Sequence, residues 1–380
     1  MLQKTYIFIL FIFSLNAGFS QTTIISGFEM DGLERTYRIY IPEIYTDGYA
    51  VPLVLNLHGY GSNGFEQELY GDFRPIADTA NFIIVSPDGA LDGFGATHWN
   101  TFGTSSVDDV NFLSALIDTV ASRYSIDHSR VYSTGMSNGG FMSYKLACQL
   151  SGRIAAVASV TGTMTVAEFD DCMTNHPMPV MQIHGTDDPT VAYEGSAFFK
   201  SVDQTIEHWV DFNECNPEPT ITEVPDTDEY DSSTVTHFLY EGGLLGSTIE
   251  LYRINNGEHT WPGAVDYGMG ITNQDIDASK EIWRFFSQYT LGYLTSAVEE
   301  IENSSSGFTC FPNPSNSGQI NLKFDENTDR TLKVFNGLGE LVQTIQTAYS
   351  TVVLTLPESG IYMVQSTVGN SVITKKVVRN

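Results

Sequence analysis

The chain has 380 residues, of which 42% are hydrophobic and 17% charged, a globular composition with room for two domains. Its 46 acidic and 18 basic side chains leave a formal net charge of -28. That field repels phosphate backbones and anionic lipid, and argues against nucleic-acid and membrane-surface roles.

In chain order the first feature reads as an address. Lys4 precedes an apolar run over 6–15, and Gly18 and Ser20 are the small residues expected before a cut after Ser20. Residues 1–20 are therefore expected to be a signal peptide. The run is shorter than the ~20 apolar residues that span a bilayer. No later segment approaches that length, so the mature chain is expected to be exported and to have no membrane span. Export permits disulfides. Four cysteines, Cys148, Cys172, Cys215 and Cys310, allow three full pairings. Cys148 with Cys172 is favoured because they flank one helix–strand unit, and Cys310 stands apart. Neither a CxxC pair nor a histidine-rich spacing suggests a metal.

Residues 21–294 alternate strand and helix. Nearly continuous apolar runs over 52–59, 82–89, 130–135, 155–162, 179–185 and 249–257 suit parallel strands buried on both faces. Helices are expected over 141–150, 197–212 and 278–289. Another carries Val107, Val110, Leu113, Ile117 and Val120 on one face, with Asp108 and Asp109 at its start, where the dipole favours them. This is an α/β pattern with a mostly parallel sheet. Residues 295–306 read as a linker. In 307–380, six short strand candidates between Asn, Asp, Pro and Gly suit a small β-sandwich.

The chemistry centres on Gly135-Met136-Ser137-Asn138-Gly139, between an apolar strand and a helix-forming run. A serine at such a sharp turn stands above the sheet edge, and the Asn138 N–H at the helix start can face an oxyanion. A serine needs a base, and the base an orienting acid, in the chain order Ser, Asp, His. Strand 179–185 runs into Asp187-Asp188-Pro189, and the proline biases Asp188 to an extended backbone. Of the later histidines, His208 lies in a helix and His237 in a strand. His259 follows strand 249–254 on a loop, where the base belongs. Tyr60, in His58-Gly59-Tyr60-Gly61, is positioned to give a second oxyanion N–H, with His58 bracing that loop. Trp99 and Trp261 are candidates for an aromatic substrate wall.

Taken in order, His58-Gly59-Tyr60-Gly61, Ser86-Pro87-Asp88-Gly89, Val107-Asp108-Asp109-Val110, Gly135-Met136-Ser137-Asn138-Gly139-Gly140, His184-Gly185-Thr186-Asp187-Asp188-Pro189 and His259-Thr260-Trp261-Pro262-Gly263 carry a resemblance. Over about 28–291 the chain resembles secreted polyhydroxybutyrate depolymerase-like and feruloyl esterase-like enzymes, α/β-hydrolases of the carbohydrate esterase family 1 type. The resemblance implies a secreted ester hydrolase with Ser137, Asp188 and His259 as triad and no cofactor or metal. Glu258 departs from the pattern, in which glycine is common there. The tail is similar to the C-terminal sorting domain of the type IX secretion system, through Phe311-Pro312-Asn313-Pro314-Ser315, Val334-Phe335-Asn336, Gly339-Glu340, Gly360-Ile361-Tyr362 and Lys375-Lys376-Val377-Val378.

The expected partners are thus an ester-bearing polysaccharide or polyester and the type IX machinery. Feruloyl or acetyl esters of xylan are the leading substrates. A polyester depolymerase, a peptidase of the same fold and a non-catalytic surface protein are the alternatives.

Overall fold

The computed structural model describes residues 22–268, 270–291, 308–313, 315, 318–324, 326–336, 341–368 and 371–379. The expected leader and the whole of the expected linker lie outside the described residues, as do Pro314, Gly339 and Glu340 of the tail motifs. The chain separates into two compact units, dividing between Thr295 and Ser296.

In the first unit one ten-stranded sheet is built from β1 (Thr22–Met30), β2 (Leu33–Ile41), β3 (Val51–Leu57), β4 (Ile83–Pro87), β7 (Ile126–Met136), β8 (Ala156–Val160), β9 (Val180–Gly185), β10 (Thr220–Glu223), β11 (Thr234–Tyr240) and β12 (Ile249–Asn255). The two remaining strands of the unit, β5 (Ala90–Leu91) and β6 (Thr97–His98), form a separate ribbon. The sheet order is β1-β2-β4-β3-β7-β8-β9-β12-β11-β10. From β4 to β12 neighbours run parallel, while β1, β2, β11 and β10 add antiparallel edges.

The six apolar runs became the six parallel strands because each is covered on both faces. Alternate residues of one strand enter opposite cores: Leu53, Leu55 and Leu57 join one cluster and Val54 the other. Truncating such a leucine to alanine costs roughly 2–5 kcal/mol.

The helices are α1 (Gly64–Tyr70), α2 (Arg74–Ala80), α3 (Asp109–Ala121), α4 (Asn138–Gln149), α5 (Val166–Asp171), α6 (Val202–Phe212) and α7 (Ala278–Phe286). Residues of α3, α4 and α6 fill the first core, and those of α2 and α7 the second. Helix boundaries differ from the sequence reading: α4 starts at Asn138 instead of 141 and α7 ends at Phe286 instead of 289, and two other starts shift. Val107 lies outside α3, because the Asp108 side chain caps that helix at Asn111 N–H. The expected helix from residue 197 begins only at Val202, where Ser201 and Gln204 form a capping box.

Cys148 and Cys172 form a disulfide with Cα atoms 4.9 Å apart, tying the end of α4 to that of α5. Cys215 and Cys310 are unpaired. Among the described residues no helix is long and apolar enough to cross a membrane.

The second unit is all β: β13 (Phe308–Phe311), β14 (Gln319–Phe324), β15 (Arg330–Asn336), β16 (Leu341–Thr347), β17 (Thr351–Thr355), β18 (Gly360–Val368) and β19 (Ser371–Arg379). Sheets β13-β14-β17 and β16-β15-β18-β19 share one core, in which Ile320, Leu322 and Leu354 meet Leu332, Val334 and Val364.

Candidate active site

Ser137 sits where β7 turns into α4, with φ 54 and ψ -117, a conformation rarely adopted by L-residues. Its N–H is held by the Val160 carbonyl at 2.8 Å. The flanking glycines are there for space. A Cβ on Gly139 would stand 2.1 Å from the Leu57 carbonyl oxygen, and one on Gly135 2.5 Å from the same atom. The serine turn thus nests directly on the end of β3. Gly59, just past that strand, brings its own backbone against the Ser137 side chain: a Cβ there would be 3.5 Å from Ser137 Cβ.

Asp188 follows β9 and is 4% exposed. Its Oδ1 accepts the Thr190 and Val191 N–H groups, both at 2.8 Å, and its Oδ2 accepts His259 Nδ1 at 2.7 Å. Burial pushes the Asp188 carboxyl up. The hydrogen bond and charge of His259, with His184 and the Val191 N–H, outweigh burial and hold the carboxyl below its ordinary value. A carboxylate can only accept, so Nδ1 carries the proton and His259 Nε2 keeps a lone pair, as a general base requires. His259 lies on the loop after β12, which neighbours β9. The competing Asp187 is exposed and bonded to its neighbour Thr186.

His184 supports Asp188 from beneath. Gln182 Nε2 donates to His184 Nδ1 at 3.0 Å, so Nε2–H donates to the Val191 carbonyl at 2.8 Å. Burial pushes its pKa down to about 4. The folded state therefore stays unprotonated between pH 6.5 and about 4 while the unfolded chain takes up a proton. Stability should fall across that window by up to about 3 kcal/mol as pH drops, and level off below it. Urea titrations from pH 7 to 4 should show a shallower pH slope for His184→Gln than for the parent. Equal slopes would exclude this role.

Asn138 begins α4, where N–H groups lack helical partners. Its side chain is engaged elsewhere: Oδ1 accepts Trp99 N–H at 2.6 Å, and Nδ2 donates to the Trp99 carbonyl and Thr101 Oγ1, both at 3.0 Å. Tyr60 lies next to Gly59, with its phenol outward on Asp92 at 2.6 Å. His58 braces the same loop, as expected. Its Nε2 accepts Gly89 N–H at 2.8 Å, leaving Nδ1–H for the Gly59 carbonyl at 2.7 Å.

Trp99 and Trp261 do not form an open wall. Each is 1% exposed. Trp99 packs on His58 and gives its indole N–H to the His58 carbonyl at 2.9 Å, while Trp261 packs on Phe73 and gives its own to Ser279 at 3.2 Å. A buried indole must satisfy its N–H, and here one binds the loop after β3 and the other the first turn of α7.

Sequence reasoning missed the brace beneath Asn138. Asp109 is buried in an ion pair with Arg35 at 2.7 Å, and its other oxygen accepts Asn100 N–H at 2.7 Å. Asn100 holds the Ser105 and Val107 carbonyls, which shapes the loop that grips Asn138. The adjacent acids were visible as a motif, but their separate roles, cap and buried partner, need tertiary contacts. Glu258, the residue before His259 in the chain, lines a cleft of about 720 Å³ with Asp228, Tyr230, Asp231 and Asp266. Among the described residues no group of three His, Cys, Asp or Glu is set to hold a metal.

Comparisons with known proteins bear on the fold and on the tail. Residues 105–223 match the Phospholipase/Carboxylesterase family model, a span that includes Ser137 and Asp188 and ends before His259. Residues 309–380 match the Secretion system C-terminal sorting domain, so the tail is an export address and the chain an extracellular or cell-surface protein. Over 291 residues, 76% of its length, the chain is 27% identical to the bifunctional acetylxylan esterase/xylanase XynS20E of Neocallimastix patriciarum, covering 38% of that protein. It is 28% identical to the probable feruloyl esterase C of Aspergillus niger over 60% of the chain and 82% of the relative. It spans between 38% and 48% of the length of three such relatives. An acetyl xylan esterase structure from Aspergillus awamori superimposes with a TM-score of 0.50 at 15% identity, covering 70% of this chain and 99% of that one. The fold of the first unit is that of an α/β-hydrolase.

Proposed function

We propose that this α/β-hydrolase chain is a secreted serine carboxylic-ester hydrolase acting on plant cell-wall esters, the feruloyl or acetyl groups of xylan. The observation that carries the reading is the His259–Asp188 pair, set in the base-competent tautomer on loops that leave the same edge of the parallel sheet as the strained Ser137 turn. The esterase relatives and the carboxylesterase family match support the ester class.

In this reading His259 Nε2 takes the Ser137 hydroxyl proton as the oxygen adds to the ester carbonyl. The Asn138 and Tyr60 N–H groups stabilise the oxyanion. His259 then protonates the departing alcohol, and the acyl group stays on Ser137. Water, deprotonated by His259, releases the acid and restores the serine. The tail would serve export through the type IX machinery and take no part in chemistry. A chain of residues 21–294 is accordingly expected to hydrolyse esters at the full-length rate.

A hydrolysis screen over methyl ferulate, acetylated xylan, polyhydroxybutyrate and p-nitrophenyl acetate tests the assignment. Turnover of ferulate or acetyl-xylan esters is expected. Release of 3-hydroxybutyrate with negligible turnover of the cell-wall esters would move the enzyme to polyester depolymerisation.

A further inference from the structure

We infer that Gln182 is a positioning residue, a single buried amide that holds the nucleophile turn and the acid loop in register with each other. The inference rests on the reading of Ser137, Asp188 and His259 as a triad. It adds to that reading a residue that acts only through its neighbours.

The amide sits where the strand is otherwise apolar. Gln182 lies in the middle of β9, between Met181 and Ile183, and is 0% exposed. Burying an amide is costly unless its donors and its acceptor are used. Here both N–H donors and the oxygen are engaged. The Tyr144 phenol donates to Gln182 Oε1 at 2.6 Å, and Gln182 Nε2 donates to the Gly162 carbonyl at 2.8 Å and to His184 Nδ1 at 3.0 Å. The orientation follows from chemistry. A carbonyl can only accept, so the amide nitrogen faces Gly162 and the amide oxygen faces the phenol. Burial pushes the Tyr144 pKa up and keeps that phenol a donor.

Each of the three partners belongs to a different arm of the site. Tyr144 is on α4, the helix that begins beside Ser137. Gly162 follows β8, and its backbone presses on the serine turn. A Cβ there would be 2.6 Å from the Ser137 carbonyl oxygen and 2.8 Å from the Phe141 nitrogen. Ser159, which pairs with Gln182 across β8 and β9, holds the same Gly162 carbonyl at 2.9 Å. His184 leads to the acid. Its Nε2–H reaches the Val191 carbonyl, and the Val191 N–H binds Asp188 Oδ1. His184 Nε2 also lies 3.4 Å from Asp188 Oδ2, the oxygen that faces His259.

Three segments far apart in sequence therefore meet at one planar group that is held on every side. Without the amide N–H, His184 Nδ1 loses the donor that sends its proton to Nε2. The Val191 carbonyl then loses its hold, and the acid loop is free to shift against the serine turn. Displacements of about 1 Å between reacting groups cost up to about a hundredfold in rate.

The test uses the full chain, p-nitrophenyl acetate and variants of two residues. Gln182→Glu keeps the shape but removes both N–H donors, Gln182→Met removes every hydrogen bond, and Tyr144→Phe removes only the phenol hydroxyl. Both Gln182 variants should lower kcat about a hundredfold with KM within about threefold, because alignment and not binding is lost. Tyr144→Phe should lower kcat about tenfold. The phenol acts through the amide, so adding Tyr144→Phe to Gln182→Met should cost less than about twofold more. Losses that multiply overturn the inference, as does a Tyr144→Phe protein with the parent kcat, which decides the matter even if the Gln182 variants do not fold. The proton resonance of His259 Nδ1–H, identified by its loss in His259→Ala, should move in Tyr144→Phe. That signal is read without any ester. An unmoved resonance overturns the inference even if ester hydrolysis is confirmed, and a moved one upholds it even if no ester is turned over.

Discussion

Ser137→Ala is expected to lower kcat/KM on p-nitrophenyl acetate by roughly four to six orders of magnitude, with no comparable loss of stability. The argument is positional. The hydroxyl projects from a turn held by its backbone, through the Val160 carbonyl, and by the close fit of Gly135 and Gly139 on β3. Alanine keeps that backbone and removes only the attacking oxygen. What remains, the oxyanion donors and binding, supports slow hydrolysis by water. Thermal unfolding by circular dichroism should therefore give nearly the parent midpoint. A folded variant retaining more than a few per cent of the activity would mean that another group attacks the ester.

Asp188→Asn should cost roughly four orders of magnitude, close to the loss from His259→Ala, and Asp187→Asn less than about tenfold. The hydrogen bonds around Asp188 explain why an uncharged near-isostere is so damaging. One oxygen accepts two backbone N–H groups, from Thr190 and Val191, and these demand an acceptor. An asparagine must turn its carbonyl toward them, which points its NH₂ at His259 Nδ1. That nitrogen must then accept, and the ring proton moves to Nε2, where the base needs its lone pair. Asp187, outside and bonded to Thr186, has no such coupling. Steady-state rates for the three variants decide the point. A larger loss at Asp187 than at Asp188 would move the acid by one residue.

Much of this was legible in the sequence, for physical reasons. The parallel strands are covered on both faces, so their apolar runs are unbroken and hard to mistake. The β1–β2 edge hairpin was not seen, because Thr, Ser, Glu and Arg interrupt its apolar residues and its outer strand is largely in water. Its signal was Asp31-Gly32, both at positive φ, the turn that joins two short strands. The start of α6 was misplaced because Phe198 and Phe199 continue its apolar spacing, although Ser201 and Gln204 already mark the cap. Those phenylalanines belong to a loop. The same limit explains the tryptophans: position places a loop residue near a site, but only packing shows whether its ring faces the cleft or the core. The proposed acid and base could be picked from the sequence because strand ends fix where their loops emerge.

The Cys148–Cys172 link gives the chain a history as well as a shape. Thiols stay reduced in a cytoplasm and join outside it. The ring it closes spans 24 residues of sequence and contributes about 3 kcal/mol in a loop-entropy account. Before export, then, the far end of the helix that begins beside Ser137 is unfastened, and the domain is less stable by that margin. Export sets the clasp. A chain bound for the outside is thus easier to keep loose where it is made and firmer where it works, with the timing supplied by the compartment.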